Sequence, residues 1–151
     1  MSNPRVIAVV VAWNRAALLR ETLDGLAAQT RPLDGVVVVD NASSDETPQL
    51  IASHPVVSNV VTLPQNYGGA GGFAAGIARA MTVGADLVWI MDDDTIPTPT
   101  ALDVLLQTRE AYPGTPAVLA CRADWIDGRE HPMNAPRERF LISRELREHA
   151  A

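Results

Sequence analysis

Val6-Ile7-Ala8-Val9-Val10-Val11 is an unbroken apolar run in which five of six residues are β-branched. A strand with one wet face alternates apolar and polar residues, whereas an unbroken run is buried on both faces, as in a parallel sheet. The flanks agree. Downstream, Asn14 is placed to cap a helix in which Ala16, Leu19, Leu23 and Leu26 recur at helical spacing through Ala28, and Arg31-Pro32 ends it. Val36 to Val39 reads as a second buried strand that stops at Asp40. Ser43 and Glu46 have capping-box spacing, which predicts a helix from near Glu46 to about Ser53. Further strands are predicted at Val56 to Leu63, Asp86 to Met91 and Ala117 to Arg122. Pro64 to Gly72 reads as a turn-rich loop, and helices are predicted at Phe73 to Val83 and Thr100 to Tyr112. Residues 123–136 read as a polar loop, and Arg137 to Ala151 as a short charged helix or a frayed tail. Strands alternating with helices imply βαβ units: an α/β fold with a mainly parallel, twisted, Rossmann-like sheet and helices on both faces.

The 151 residues are one domain's worth of chain, 47% hydrophobic and 20% charged, which fits a globular class rather than a disordered one. No apolar run reaches the roughly 18 residues of a membrane span, and Met1-Ser2-Asn3-Pro4-Arg5 has no signal-peptide pattern. These features predict a cytoplasmic protein. A single Cys121 excludes an internal disulfide and a thiolate-rich metal site, and reads as a small buried hydrophobe. The net charge of −6 disfavours nucleic acid as a partner, since an acidic surface repels a phosphate backbone.

In open parallel sheets, ligands bind beyond the carboxyl ends of the strands. Those exits carry Ala12-Trp13-Asn14-Arg15, then Asp40-Asn41, then Asn66 with Gly68-Gly69-Ala70-Gly71-Gly72, then Asp92-Asp93-Asp94. Three adjacent carboxylates raise one another's pKa unless a cation is present. Mg²⁺ or Mn²⁺ with oxygen ligands would relieve that repulsion. Residues two apart on an extended segment share a side, so Asp92 and Asp94 could share the ion. The bland alternative is a solvated turn. Asp40 could accept from a ribose hydroxyl or a base N–H, or could serve an Asx turn. Trp13 could stack on a base or plug the sheet edge. Arg15 could pair with a phosphate or merely decorate a helix turn. Gly69 to Ala74 also fits G-x-G-x-x-A, although Pro64 to Tyr67 separate it from its strand, unlike a dinucleotide turn. Its structural alternative is close helix–sheet packing; the reading favoured here is close approach of backbone to a sugar or diphosphate. His131 lies in a loop without metal-ligand spacing.

Taken in order, Val10 to Arg15, Val38 to Thr47, Asn66 to Phe73 and Trp89 to Asp94 resemble family-2 inverting glycosyltransferases of the GT-A fold. The nearest resemblance is to bacterial cell-wall rhamnosyl- and galactofuranosyltransferases. The glycine loop and Asp127-Gly128 through Asn134 favour the galactofuranosyl side, and the resemblance covers roughly residues 5–140. It implies that Ala12, Trp13, Arg15, Asp40 and Asn41 hold the nucleoside of a UDP- or dTDP-sugar donor. Asn66, Gly71 and Gly72 would lie along the ribose, diphosphate or sugar. Asp92 and Asp93 would contact donor hydroxyls, with Asp94 the main ligand of Mn²⁺ or Mg²⁺ and Asp92 a second. The acceptor would be a glycan or a polyprenyl-linked saccharide, which would bring the whole enzyme to the inner face of the membrane.

Inversion needs a carboxylate base. The family's base lies in a later acidic context that Asp124, Asp127, Glu130, Glu138, Glu145 and Glu148 do not reproduce, so none is assigned. The expectation is a single nucleotide-sugar-binding domain over residues 1–151, shortened at its C-terminal side, with an uncovered apolar edge that favours self-association into a homo-oligomer. The competing readings are an NAD(P)-dependent oxidoreductase and a non-catalytic nucleotide-binding module.

Overall fold

The computed structural model describes residues 4–114 and 116–130. They belong to two compact units, Met1–Thr115 and Pro116–Ala151. The first unit runs β1 (Val6–Ala12), α1 (Ala16–Ala27), β2 (Gly35–Asp40), α2 (Thr47–Ser53), β3 (Asn59–Thr62), α3 (Gly68–Thr82), β4 (Leu87–Asp92) and α4 (Ala101–Ala111). All four strands are parallel in one sheet of order β3-β2-β1-β4.

β1 is central, and all seven of its residues are buried, as an unbroken apolar run requires. Its side chains divide between two cores. Ala8, Val10 and Ala12 pack with Leu19, Leu23 and Leu26 of α1 and with Leu50 and Ile51 of α2. Ile7 and Val9 pack on the other face with Val37 and Ala80, and Phe73 of α3 lies against them. Each buried Leu or Ile contributes about 1.5–3 kcal/mol. The expected α/β sheet with helices on both faces is therefore the observed one. No helix of the described residues is long and apolar enough to cross a membrane.

Five local expectations are corrected. The glycine run is helical: α3 starts at Gly68, not at Phe73. A Cβ at Gly72 would fall 2.5 Å from Val11 Cγ1, and one at Gly76 would fall 2.3 Å from Val9 Cγ1 and 2.9 Å from Val39 Cγ2. Missing side chains thus let the helix backbone settle directly onto β1 and β2. That packing outweighs the roughly 1 kcal/mol per residue that glycine costs a helix. Residues 117–122 form no strand, and Val118 is 83% exposed. An apolar run becomes a strand only where a ladder partner takes its backbone groups. Cys121 is exposed, not buried. Finally, neither Asn14 nor Ser43 caps a helix in the expected way, because both side chains are spent on bonds between loops. The third strand is also shorter than expected, four residues from Asn59 to Thr62.

In the second unit, residues 124–130 form a tight turn. Asp124 and Glu130 form an antiparallel bridge, and Trp125 N–H donates to Arg129 O at 2.7 Å. The predicted segment 137–151 lies outside the described residues, as does His131.

Two aspartates pin the amino end of β1. Arg5 N–H donates to Asp86 Oδ2 at 2.8 Å, and Val6 N–H donates to Asp34 Oδ2 at 2.9 Å. The Val6 N–H bond, then the hydrogen bond from Arg31, holds the Asp34 carboxyl below its ordinary 3.8. A depressed folded pKa contributes stability above the unfolded value, and that contribution is lost as pH falls through the folded one. Asp34→Asn should therefore lower the melting temperature at pH 7, with the deficit closing below about pH 4. Thermal melts of both proteins from pH 7 to pH 3 check this; a deficit independent of pH would contradict it.

Candidate functional site

Parallel pairing places the strand exits at one height. Ala12 of β1 is in register with Asp40 of β2, and Val11 of β1 with Asp92 of β4. Asp40 and Asp92 therefore flank β1 from either side, two strand spacings or about 10 Å apart. Asp40 is 4% exposed, and its Oδ1 accepts from Ser43 N–H at 2.9 Å. Ala42 makes this bend possible in the left-handed region at φ 64°, a conformation that costs a non-glycine residue about 1–2 kcal/mol.

The first two exits are laced together. Asn14 N–H donates to Ser43 Oγ at 3.1 Å, and Ser44 N–H donates to Asn14 Oδ1 at 2.7 Å. Asp45 accepts from Ala16 N–H at 3.3 Å and from Thr47 N–H at 2.9 Å, so one carboxylate serves the amino ends of both α1 and α2. This cross-loop cap replaces the two local caps expected from spacing. A shallow open depression beside it is lined by Arg15, Leu18, Ser44 and Glu46, among others.

Asn41 organises the third exit. It is 2% exposed; its Nδ2 donates to Asn66 Oδ1 at 2.9 Å and to Gly68 O at 3.1 Å, and its Oδ1 accepts from Tyr67 N–H at 2.9 Å. Asn66 Oδ1 also accepts from Gly68 N–H at 2.7 Å. Asn41 and Asn66 thus stand together at the expected end of the sheet, holding the first turn of α3. Gly71 leaves room for Tyr67, whose Cβ would lie 2.5 Å from a Cβ there, and Gly72 faces Val11. The exposed Tyr67 ring was not picked out from sequence; an aromatic residue between Asn66 and the glycines was the available signal. Trp13 is also exposed, at the exit of β1.

The acidic triplet is not one extended segment as expected: β4 ends at Asp92, and Asp93 and Asp94 lie in a turn closed by Thr95 N–H donating to Asp92 O at 3.3 Å. Asp93 points inward at 5% exposure, whereas Asp92 and Asp94 are exposed. Asp93 Oδ2 accepts from Trp13 N–H at 3.2 Å, and its carbonyl accepts from buried Thr22 Oγ1 at 3.0 Å. Arg15 Nη1 reaches Asp94 Oδ2 at 2.8 Å and Asp93 Oδ1 at 3.4 Å. Partial burial, then the neighbouring Asp94, raises the Asp92 carboxyl above its ordinary value. Burial also raises Asp93, against the opposing pull of Trp13 N–H and Arg15. Among the described residues no group of three or more His, Cys, Asp or Glu side chains is placed to hold a metal. Two outward carboxylates nevertheless suit Mg²⁺ or Mn²⁺, which typically take one or two protein carboxylates and complete their shells with water and phosphate oxygens.

Of the acids considered as a base, Asp127 is held below its usual range by hydrogen bonds from the Arg129 side chain and backbone, which weakens it as a proton acceptor. Asp124 pairs with Arg122 Nε at 2.7 Å. Glu138, Glu145 and Glu148 lie outside the described residues.

The model of the family described as Glycosyl transferase family 2 matches residues 7–149. Galactofuranosyltransferase GlfT1 of Mycolicibacterium smegmatis is 41% identical over 97 residues, covering 64% of this chain and 32% of that protein. The chain spans about a third of the length of the curated galactofuranosyltransferases it matches. Among solved structures, the mannosyltransferase PcManGT from Pyrobaculum calidifontis, in complex with GDP-Man and Mn²⁺, superposes with a TM-score of 0.57. It is 32% identical, over 65% of this chain and 30% of that one. S. aureus TarS 1-349 in complex with UDP has a TM-score of 0.64 at 24% identity, over 72% of this chain and 32% of that one, and shares the fold.

Asn41→Ala tests whether the third exit depends on this one amide. Three hydrogen bonds end on the buried Asn41 side chain, and each contributes about 0.5–1.5 kcal/mol, since its partners Asn66, Tyr67 and Gly68 are exposed and water can replace the lost bonds. Urea unfolding should show that loss, and amide exchange should accelerate at Tyr67 before it does in β1. An unchanged midpoint would show that Asn41 is not the anchor.

Proposed function

This chain belongs to glycosyl transferase family 2, and on that premise we propose that it forms the donor side of an inverting, divalent-cation-dependent sugar transferase. The observation that carries the proposal is the convergence of Asp40, Asn41, Asn66, Asp92 and Asp94 at the carboxyl ends of adjacent parallel strands. Galactofuranose is the favoured sugar, because the relative with 41% identity is a galactofuranosyltransferase; rhamnose is the second choice. The acceptor would be a glycan or a polyprenyl-linked saccharide, met at the inner face of the membrane.

Each part of the rim has a role under this reading. Asp40 would accept from the nucleoside, and Trp13 would supply a flat apolar face to the base. Asn41 and Asn66 would act by fixing the backbone on which the donor lies. Asp92 and Asp94 would hold Mn²⁺ or Mg²⁺, which when bound neutralises the departing nucleoside diphosphate. The 32%-identical mannosyltransferase, solved with GDP-Man and Mn²⁺, supports a divalent ion here. Asp93, whose carboxylate already accepts from Trp13 N–H and Arg15, would shape the rim and contact the donor less than its neighbours do.

Calorimetry with UDP, dTDP and GDP, each with and without Mn²⁺, tests the proposal. Asp94→Asn keeps the shape and removes the charge, so it should cost at least the roughly tenfold that loss of an outer-shell partner costs a metal site. Asp103→Asn on α4, where the carboxylate accepts from Gln107 of the same helix, should change little. Equal effects at the two positions, or nucleotide binding indifferent to Mn²⁺, would contradict the proposal.

A further inference from the structure

Arg15 occupies one of the carboxylates that the proposed reaction needs for a cation. Its Nη1 lies 2.8 Å from Asp94 Oδ2 and 3.4 Å from Asp93 Oδ1. The two acids differ in what else they do. Asp93 is also fastened by Trp13 N–H and, through its carbonyl, by Thr22, so it keeps its place without Arg15. Asp94 is 46% exposed at its side chain, and Arg15 is 52% exposed at its own.

We propose that Arg15 is a resident counter-ion of Asp94 that a divalent cation must displace, so that cation and nucleoside diphosphate bind cooperatively. The inference rests on the reading that Asp92 and Asp94 hold the ion. With no ligand bound, two outward carboxylates two residues apart would repel each other and any incoming diphosphate; the guanidinium offsets part of that charge. An exposed pair of this kind changes an equilibrium only about two- to fivefold, so a divalent ion can displace it. Displacement leaves the loop anchored, because the Trp13 and Thr22 bonds to Asp93 do not involve Arg15. The freed guanidinium then stands beside the rim on a long flexible side chain and can take a phosphate oxygen in place of Asp94. Cation binding alone must displace Arg15 without offering it a new partner; cation binding with a diphosphate offers one. That difference is the coupling, and by linkage each ligand strengthens the other by the same factor. Arg15 is in this account a positioning residue that sets the order and cooperativity of binding.

The experiment measures Mn²⁺ affinity by electron paramagnetic resonance of the free ion, with and without UDP, in the wild-type chain and in Arg15→Gln, Arg15→Lys and Arg20→Gln. Arg20→Gln, an exposed change elsewhere on α1, controls for the general effect of losing a positive charge. Arg15→Gln should bind Mn²⁺ alone about two- to fivefold more tightly than wild type. It should also bind UDP less tightly in the presence of Mn²⁺, so the coupling factor between the two falls. Arg15→Lys should retain part of the coupling, and Arg20→Gln should match wild type. Thermal melts of each variant establish that it is folded. Equal Mn²⁺ affinity in wild type and Arg15→Gln, with measurable binding by both, overturns the counter-ion role and leaves the proposed reaction standing. Mn²⁺ binding by none of the proteins, with UDP or without, overturns the metal reading and this inference together.

Discussion

The register of β1 against its two neighbours is the constraint on which the rest depends. Ala12 pairs with Asp40 on one side, and Val11 with Asp92 on the other. Parallel strands in that register must deliver both acids to one end of the sheet, whatever the loops do. The register is held because β1 is buried on both faces; a slip by one residue would send Val10 and Ala12 to the α3 side and Val9 to the α1 side. Gly72 and Gly76 sharpen this, because the close approach of α3 is possible only where Val11 and Val9 now lie.

Upon that frame the rim is built mostly from side chains that bond to backbone. Asn41 holds Tyr67 and Gly68, Asp45 holds the amino ends of two helices, and Asp93 holds Trp13. A rim held this way is largely pre-formed, so a ligand bound there would spend little energy on ordering loops. The outward groups, Asp92, Asp94 and Arg15, are charged and partly exposed. They are the groups left free to exchange partners when a ligand arrives.

Much of this was legible in the residues themselves. The unbroken runs at Val6 and Val36 announced buried parallel strands, since no other element places that many β-branched residues together. The acids at strand exits followed from topology alone. What failed had local causes. Glycines read as a loop because intrinsic propensity disfavours them in a helix, yet Gly72 and Gly76 serve contacts with strands far away in sequence. Ala117 to Arg122 read as a strand because hydrophobic pattern says nothing of whether a ladder partner is present. Caps at Asn14 and Ser43 were misassigned because spacing shows the local bond and not the one across to another loop. In the acidic triplet, alternation along an extended segment stops at Asp92, because Asp93 and Asp94 form a turn, and the pairing of Arg15 with Asp94 spans 79 positions and leaves no local trace.

The central claim is that one end of the sheet gathers the donor and its cation. Paramagnetic broadening by Mn²⁺ in the presence of UDP, read from backbone amide resonances of the whole chain, tests it most directly. The amides of Trp13, Asn41, Asp93 and Asp94 should bleach together, while those of Asp34 and Asp86 at the amino end of β1 stay sharp. Broadening that spares Asp93 and Asp94, or that strikes both ends of the sheet alike, would contradict the account.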